Sequence, residues 1–397
     1  MIHSIVRVLQ VVAVLGCFSS CCYYLLCLWS AAGVIRERKA GKGPFDRRSG
    51  QVRPTQPFPS VSILKPLKGT DPDIYESFRS HCLQDYPEYE IIFGVSDAAD
   101  PAVASVQQLQ QEFPTHAIRL IFCESNLGAN VKVSNLEQML RSARFDHLIV
   151  NDSDIHVEAD YVQRVTGPLA EPSVGMVTCL YRGVAASTIG SRLESLGIST
   201  DFCAGVLVAR HLEGGLKFGL GSTLAFRRGE LERMGGFHSL VDFLADDYEL
   251  GRRIAGLGLQ VVLSDVVVET HLPSYDLRSF TAHQIRWARG VRDSRMAGYI
   301  GMVSTFGLMW ALLNLILAQA APWAWAVLGA VALLRLAVAL AVGKGALQDR
   351  QLLGHLWLLP VRDLVAVLVW VASFAGHTVT WRGDRFELKD GRLVRIA

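Results

Sequence analysis

The chain has 397 residues and a formal net charge of +2, a length that allows one large domain or two ordinary ones. A net charge this small does not indicate a nucleic-acid or acidic partner. Half of the residues are hydrophobic, and the longest apolar tracts lie towards the two ends of the chain, which is typical of membrane segments.

The first apolar tract runs from Ile5 to about Ser30 and exceeds the roughly 20 residues that cross a bilayer. It lacks the features of a cleaved signal peptide, so we predict a retained anchor over residues 1–32. A basic juxtamembrane linker is predicted over residues 33–59, with Arg36, Arg38, Lys39, Lys42, Arg47, Arg48 and Arg53. Excess Lys and Arg mark the cytoplasmic side of a span, so we expect the polar body in the cytosol.

Residues 60–298 alternate short apolar runs with helical patterns, and we predict the soluble domain of the chain here. The strand candidates are residues 60–67, 90–97, 117–124, 147–154, 174–181, 222–227 and 261–269, and helical patterns at 101–113 and 133–143 separate the early ones. This alternation favours an α/β fold with a parallel sheet covered on both faces. Ligands of such sheets bind at the carboxyl ends of the strands, so we expect Asp97, Glu124 and Asp152 along one edge.

A second apolar tract at Val303–Val342 is long enough for two spans, and a further span falls at about Pro360–Val379. We therefore predict a transmembrane region over residues 299–380 and a tail over residues 381–397. Three later spans would place the tail outside, whereas its Lys and Arg residues favour the inside. The number of C-terminal spans stays open, with one re-entrant or interfacial segment as the alternative.

A D-x-D triplet, Asp152-Ser153-Asp154, follows the fourth strand candidate. Two carboxylates on one side of a strand end suit Mg²⁺ or Mn²⁺ bridging a diphosphate. The alternative is a polar turn whose aspartates cap the next helix. His271, directly after the last strand candidate, is either a third metal ligand or a loop histidine facing solvent.

Other polar positions also have a functional and an ordinary interpretation. Asp97 either accepts hydrogen bonds from a base or ribose or caps the helix beginning near Pro101. Asp246 and Asp247 precede a helical run and supply either a general base or acidic groups at the positive end of the helix dipole. Lys132 either neutralises a phosphate or is a plain surface lysine.

The segment HQIRWARGVR, residues 283–292, places Arg286 beside Trp287 just before the membrane tract. Such a pair can bind a diphosphate while the indole stacks on a sugar or an acceptor. A basic helix end near lipid headgroups explains the same residues. The amphipathic segment 201–221 lies either at the membrane interface or in a partly buried helix and loop.

Taken together, these motifs resemble a known family. SVSILKPLKGTDPDIYESF, DYPEYEIIFGVSDAADPA, NVKVSNL, NDSDIHV, LADDYELGRRI and IRW follow one another over about residues 60–290. In this order they resemble the inverting, processive-type glycosyltransferases, and among these the ceramide glucosyltransferases and their bacterial hopanoid-associated relatives. The resemblance implies a GT-A domain, which is a Rossmann-like nucleotide-sugar-binding fold, with N- and C-terminal transmembrane helices.

The resemblance also implies roles for the donor-side residues. Asp97 would contact the uridine of a UDP-hexose donor. Asp152 and Asp154 would hold Mg²⁺ or Mn²⁺ and the diphosphate, with Lys132 also on the donor side. Asp247 would be the catalytic base.

The family's Q-x-x-R-W motif is only partly present. Arg286 and Trp287 match its end, and the resemblance places them at the donor. His283 stands where the family has Gln or Arg, which leaves its donor-side contact in doubt. His283 and Asp246 are therefore expected on either the donor or the acceptor side.

The resulting expectation is transfer of glucose from UDP-glucose onto the hydroxyl of a membrane lipid, ceramide, to give a β-glycosyl lipid. The alternatives are a hopanoid N-acetylglucosaminyltransferase and a polysaccharide synthase, although a synthase needs more spans. A transporter or receptor with a soluble metal-binding domain would show charges inside its spans and paired halves. Arg335 is the only obvious charge within residues 303–342, and no repeat is present.

Overall fold

The computed structural model describes residues 2–39, 58–381 and 384–396. Most of the predicted linker, residues 40–57, therefore lies outside the described residues. The polypeptide divides into two compact units. The helical unit consists of Met1–Ile35, Ser187–Val208 and Ser274–Asp390, and the sheet unit consists of Arg36–Ala186, Ala209–Pro273 and Gly391–Ala397.

Among its described residues, the sheet unit contains a sheet of eight strands. They are β1 (Val61–Pro66), β2 (Tyr89–Val95), β3 (Ile118–Phe122), β4 (His147–Val150), β5 (Ile155–His156), β6 (Val174–Val184), β7 (Leu224–Arg227) and β8 (Gln260–His271). Their order in the sheet is β3-β2-β1-β4-β7-β6-β8-β5. Each of the seven strand candidates of the sequence corresponds to one of these strands.

The sheet is mixed rather than wholly parallel. Strands β1 to β4 pair in parallel, as do β6 and β8, whereas β7 runs antiparallel to β4 and β6, and β5 antiparallel to β8. The expectation of a parallel sheet therefore holds for its first half and for one later pair. The apolar pattern of a strand reports its burial and not its direction, which is why β7 was not recognised as antiparallel.

The helices of the chain alternate with the strands in the sheet unit and dominate the helical unit. They are α1 (Ile2–Lys39), α2 (Ile74–Cys82), α3 (Ala102–Glu112), α4 (Val131–Leu140), α5 (Tyr161–Thr166), α6 (Ile189–Gly197), α7 (Cys203–Leu212), α8 (Arg228–Arg233), α9 (Asp246–Gly256), α10 (Leu277–Ser294), α11 (Met296–Gly301), α12 (Gly307–Leu317), α13 (Pro322–Ala339), α14 (Leu352–His355) and α15 (Leu359–Ser373). Short strands follow at β9 (Thr378–Trp381), β10 (Asp384–Lys389) and β11 (Arg392–Arg395). The predicted span at 360–379 therefore stops being helical after Ser373.

The centre of the sheet is fully buried, which explains the apolar strands of the sequence. Every residue of β1 is buried, and Leu148, Ile149 and Val150 of β4 are 0% exposed. A parallel strand with helices on both faces has no solvent side, so it reads as a continuous apolar run. Polar residues can begin only where such a strand leaves the core, and this positions the site.

The helical unit contains the apolar segments. Among the described residues, three helical segments are long and apolar enough to cross a membrane: His3–Lys39, Pro322–Ala346 and Leu352–Ser373. One pair of helices, Met296–Thr305 with Gly307–Leu317, passes the same test together but bends by 53°, which is the geometry of a broken span or a re-entrant segment. The described part of the chain thus contains three candidate spans, or four if the bent pair is one span.

Candidate active site

The strand register brings the predicted acidic residues to one edge of the sheet. The last pairs between neighbouring strands are Val95 with Phe122 and Leu64 with Val150. Asp97, Glu124 and Asp152 each follow the last paired residue of their strand by two positions. The expectation that they lie along the carboxyl edge of the parallel strands is therefore confirmed.

The backbone around Asp152 is held from below by buried polar side chains. Asn151 is fully buried and donates through Nδ2 to the Tyr161 hydroxyl at 2.9 Å and to the Ser222 carbonyl at 2.7 Å. Lys65 of β1, also 0% exposed, donates from Nζ to the Asp152 carbonyl at 2.9 Å. The backbone of the D-x-D segment is consequently fixed. None of these hydrogen bonds uses the Asp152 carboxylate.

Lys132 lies between two of the predicted carboxylates. Its Nζ is 2.7 Å from Asp152 Oδ1 and 3.2 Å from Asp246 Oδ2. Burial alone would lower the pKa of Lys132, but the carboxylates of Asp152, Asp246 and Asp247 outweigh this and raise it. The carboxylates around Lys132 therefore favour its charged form at this edge.

The start of α4 is what directs Lys132 to this position. Asn130 is fully buried and caps the helix by accepting from Val133 N at 3.2 Å. Its Nδ2 donates to the Phe243 carbonyl at 2.7 Å and to Asp246 Oδ1 at 3.3 Å. One asparagine therefore joins α4 to the segment that begins α9.

Asp247 points towards Asp152 across Gly221. Asp247 Oδ2 accepts a hydrogen bond from Gly221 N at 2.7 Å. A Cβ placed on Gly221 would lie 3.1 Å from Asp152 Oδ2 and 3.2 Å from Asp247 Oδ2, so both carboxylates border the same small space. Burial, and next the neighbouring Asp246, raise the pKa of Asp247, while Lys132 lowers it.

Asp154 faces a different strand. Its Oδ2 accepts a short hydrogen bond from the Thr270 hydroxyl of β8. Burial and the nearby Asp152 raise the pKa of Asp154 to about 6. The next residue, His271, has its Nδ1 2.7 Å from Asp73 Oδ2 and its ring 6.0 Å from that of His156. The metal-ligand role of His271 stays a prediction.

Asp97 is exposed at the end of β2, where its Oδ1 accepts from Ala99 N at 2.9 Å. The start of α3 is instead served by Asp100, whose Oδ1 accepts from Ala102 N at 2.9 Å. The alternative in which Asp97 caps that helix is thus wrong. Its side chain is accessible to a ligand, and the uridine contact stays a prediction.

His283, Arg286 and Trp287 lie on α10 in the helical unit. The His283 ring is 5.4 Å from the Trp287 ring and stacks on Tyr275 at 5.4 Å. Trp287 also contacts Phe202, with ring centroids 5.9 Å apart. Trp287 is thus part of an aromatic group within its own unit, and its donor role stays a prediction.

The residues at the edge of the sheet fit a divalent cation whose coordination is completed by the phosphates of a bound substrate. Among the described residues, no three His, Cys, Asp or Glu side chains form a ready metal site. Mg²⁺ is commonly held by only one or two carboxylates together with substrate phosphates. Asp152 offers such a carboxylate and already attracts a cation, the Lys132 ammonium.

Some site residues were missed by the sequence interpretation. Asn130, Lys65 and Gly221 each touch a candidate residue through a contact between segments far apart in the chain. The sequence signals for them were weak: a Gly-Asn loop, one lysine inside an apolar strand, and one glycine among several.

Comparison with known proteins identifies the family. Residues 12–394 match the family model described as glycosyl transferase family 21. The chain is 26% identical to ceramide glucosyltransferase 3 of Caenorhabditis elegans over 60% of its own length and 52% of that protein, and 22% identical to ceramide glucosyltransferase 1 of the same organism over 87% and 75%. The match thus spans about half of the first relative.

A solved structure has a similar fold. It is the mannosyltransferase PcManGT from Pyrobaculum calidifontis in complex with GDP-Man and Mn²⁺, 23% identical, with a TM-score of 0.51 over 90% of this chain and 99% of that one. This likeness supports the GT-A-like fold expected from the sequence. The chain belongs to glycosyl transferase family 21.

Proposed function

We propose that the protein transfers glucose from UDP-glucose to the primary hydroxyl of ceramide in a membrane, with inversion at the anomeric carbon. The observation that carries the proposal is the group of Lys132, Asp152, Asp246 and Asp247 at the carboxyl edge of the sheet. A cation and a raised-pKa carboxylate meet there beside a further acidic side chain. The ceramide acceptor and the glucose donor follow the names of the relatives.

Asp247 is the proposed general base. Asp246 is occupied by Lys132 and by Asn130, whereas Asp247 borders the open space next to Gly221. Its raised pKa makes it a stronger base than an ordinary aspartate while it stays ionised near neutral pH. It takes the proton of the acceptor hydroxyl, whose oxygen attacks the anomeric carbon as the bond to UDP breaks, so that an α-linked donor gives a β-glycoside.

The donor binds through groups at both sides of the D-x-D segment. Asp152 and Asp154 are the proposed residues that would hold Mg²⁺ or Mn²⁺, with His271 as a further candidate, and such an ion would supply positive charge at the diphosphate. Lys132 adds a fixed positive charge that can turn from Asp152 to a phosphate oxygen. Asp97 accepts a hydrogen bond from the uridine of the donor.

Arg286 and Trp287, which match the end of the family's Q-x-x-R-W motif, are proposed as donor-binding residues. In this proposal Arg286 pairs with the diphosphate while the Trp287 indole stacks on a sugar or an acceptor. His283 replaces the family's Gln or Arg, and its role on the donor or acceptor side is part of the proposal.

The proposed setting is a multi-pass membrane protein whose catalytic domain, residues 60–298, faces the cytoplasm. The apolar segments supply the spans, and the basic residues that follow the apolar tract Ile5–Ser30 orient the first of them. A lipid acceptor then reaches the base from the bilayer while the nucleotide sugar arrives from water.

The test is a transfer assay with the purified full-length chain in lipid vesicles, offering UDP-glucose and UDP-N-acetylglucosamine with ceramide or bacteriohopanetetrol. Wild type should glucosylate ceramide, and Asp152→Ala should lose divalent-dependent UDP binding. The matched control is Asp160→Ala, because Asp160 pairs with Arg164. Transfer of N-acetylglucosamine to the hopanoid, or full activity of Asp152→Ala without divalent ions, would overturn the proposal.

A further inference from the structure

Four charged side chains, three of them buried, form a cluster in the helical unit. We name Asp201, Arg335, Arg362 and Asp363 the ion-pair cluster. Arg335 is 3%, Asp363 7% and Arg362 9% exposed. Arg335 lies in the apolar segment Pro322–Ala346, and Arg362 and Asp363 lie in Leu352–Ser373. Charges inside such segments cost several kcal/mol unless they are paired, and they commonly mark function.

Asp201 is held between both arginines. Arg335 Nη2 lies 2.5 Å from Asp201 Oδ1 and 2.7 Å from Asp363 Oδ1, and Arg335 Nη1 donates to the Thr200 carbonyl at 3.2 Å. Arg362 Nε is 3.0 Å from Asp201 Oδ2, an ion pair whose angle does not make a hydrogen bond. The cluster therefore fixes the backbone at residues 200–201 as well as the side chains.

The backbone at Asp201 has an unusual form. Ile198–Phe202 is a turn of π-helix, and a second π-helical turn, Leu340–Ala346, packs against it. Such turns are rare and are frequent at functional sites. Asp201 lies in the first turn, and its partner Arg335 lies one helical turn before the second. The irregular backbone and the buried charges thus occur at the same place.

One route from the cluster leads to the start of the H-x-x-R-W segment. Arg362 Nη1 donates to Gln284 Oε1 at 3.0 Å, and Gln284 Nε2 donates to Glu194 Oε2 at 2.5 Å. His283 Nδ1 lies 3.5 Å from the same carboxylate oxygen. Both Gln284 and Glu194 are buried. The chain of contacts ends on the helix that carries Arg286 and Trp287.

A second route runs through Phe202. This residue ends the π-helical turn next to Asp201, and its ring lies 5.9 Å from that of Trp287. A change at Asp201 therefore reaches Trp287 through its sequence neighbour and reaches His283 through Arg362. Two independent connections to one short segment define its orientation more closely than either alone.

Gly197 leaves space for the Arg362 side chain. A Cβ at Gly197 would collide with the guanidinium of Arg362, which lies flat against this last residue of α6. Alanine is favoured over glycine in a helix interior by about 1 kcal/mol. Glycine at position 197 therefore lowers the stability of the helix but leaves space for the Arg362 guanidinium. This indicates that the position of Arg362 is functionally important.

We propose that the ion-pair cluster is a positioning device for glycosyl transfer. Asp201 holds the π-helical turn and Arg362, and through Phe202 and Gln284 these set the orientation of Trp287 on α10. The inference rests on the proposed donor role of Trp287. Stability alone does not account for the cluster, since apolar side chains of similar size stabilise a buried site as well as or better than ion pairs do.

The test measures whether Asp201 acts through Trp287. Asp201→Asn removes one charge, and Gly197→Ala displaces Arg362 without changing any charge. A misplacement of about 1 Å can cost 100-fold in rate, so each variant should lower kcat/KM about 10- to 100-fold. In a Trp287→Phe background, Asp201→Asn and Gly197→Ala should each lower kcat/KM by less than about threefold, because effects that act through a shared residue are not additive.

The matched control is Asp276→Asn, which removes a charge from the same unit. Asp276 caps α10 by accepting from Ser279 N at 2.7 Å, and asparagine caps equally well, so kcat/KM should stay at the wild-type value. Thermal unfolding of all variants in vesicles checks the fold. If Asp201→Asn does not fold, Gly197→Ala carries the test.

The outcomes separate the inference from the proposed function. Full additivity in the Trp287→Phe background, or wild-type kcat/KM of Gly197→Ala, overturns the positioning role alone. Wild-type activity of Trp287→Phe overturns the donor role of Trp287 and the inference with it. Absence of transfer by the wild type overturns the proposed function, and the variants' effects on UDP affinity then test the cluster by the same additivity criterion.

Discussion

The Asp247→Asn variant tests whether Asp247 is a general base or only accepts hydrogen bonds that stabilise the fold. Both carboxylate oxygens of Asp247 accept backbone N–H groups. Oδ2 accepts from Gly221 N at 2.7 Å and Oδ1 from Tyr248 N at 2.8 Å. An amide has a single acceptor oxygen, so one N–H loses its partner at a cost of about 1–3 kcal/mol. Loss of a general base lowers the rate about 10²–10⁴-fold, equivalent to about 3–5 kcal/mol. The rate effect should therefore exceed the stability effect.

The assay compares Asp247→Asn with Asp246→Asn in single-turnover transfer at saturating UDP-glucose, with UDP affinity measured by calorimetry. Asp247→Asn should bind UDP within about threefold of the wild type and lose about 10²–10⁴-fold in rate. Asp246→Asn should lose less than about tenfold, since it weakens one ion pair with Lys132 and removes no base. An equal loss in both variants, or a rate of Asp247→Asn within tenfold of wild type, would refute the assignment.

Three further predictions follow from the charges at the same edge. Because burial and Asp246 raise the pKa of Asp247, kcat/KM should fall on the acid side at a higher pH than the ordinary aspartate value of 3.8; a profile that is flat down to pH ~4 would contradict this. Lys132→Met should weaken UDP binding about tenfold or more, about 1.4 kcal/mol, and calorimetry showing equal affinity would exclude a phosphate contact. Burial lowers the pKa of Lys65 to about 7 from an ordinary 10.5, although Asp154 and Asp152 raise it. The unfolded chain therefore binds more protons between these values, so the free energy of unfolding should rise with pH from 7 to 10 by up to about 1.4 kcal/mol per pH unit. Thermal unfolding of Lys65→Met should show a flatter dependence, and an equal slope would contradict it.

The sequence was most informative where polarity changes abruptly at the end of a buried strand. Asp152 follows three fully buried residues, and this contrast, together with the other motifs, led to the prediction of a site at the carboxyl edge. Lys132 and Asp247 were recognised only as candidates, because their meeting with Asp152 depends on how α4 and α9 begin. Local pattern reports whether a residue is buried and in which element it lies, whereas contacts between segments far apart in the chain require the fold.

The mixed direction of the sheet illustrates the same limit. The apolar run of β7 was recognised, but its antiparallel pairing with β4 was not. The pairing matters for the site because Leu220, Gly221 and Ser222 enter β7 from the carboxyl edge of β4, where they meet Thr178, Asp247 and Asn151. A parallel β7 would have its start at the opposite edge, and Gly221 would not reach Asp152.

Gly221→Ala tests whether the space between the two carboxylates is itself functional. The added Cβ would lie 3.1 Å from Asp152 Oδ2 and 3.2 Å from Asp247 Oδ2, closer than ordinary van der Waals contact, so at least one carboxylate has to move by a few tenths of an ångström. Gly221 is not one of the described glycines with a positive φ, so a methyl group at this position adds no backbone strain. Thermal unfolding of the variant should therefore be nearly unchanged. We expect divalent-dependent UDP affinity or the transfer rate to fall about tenfold or more, because carboxylates that hold a cation or a proton tolerate little displacement. Gly229→Ala is the control, since a Cβ there meets nothing within 4 Å. Wild-type binding and rate in Gly221→Ala would mean that donor and acceptor do not use this space, and the base would then have to be sought elsewhere along the edge.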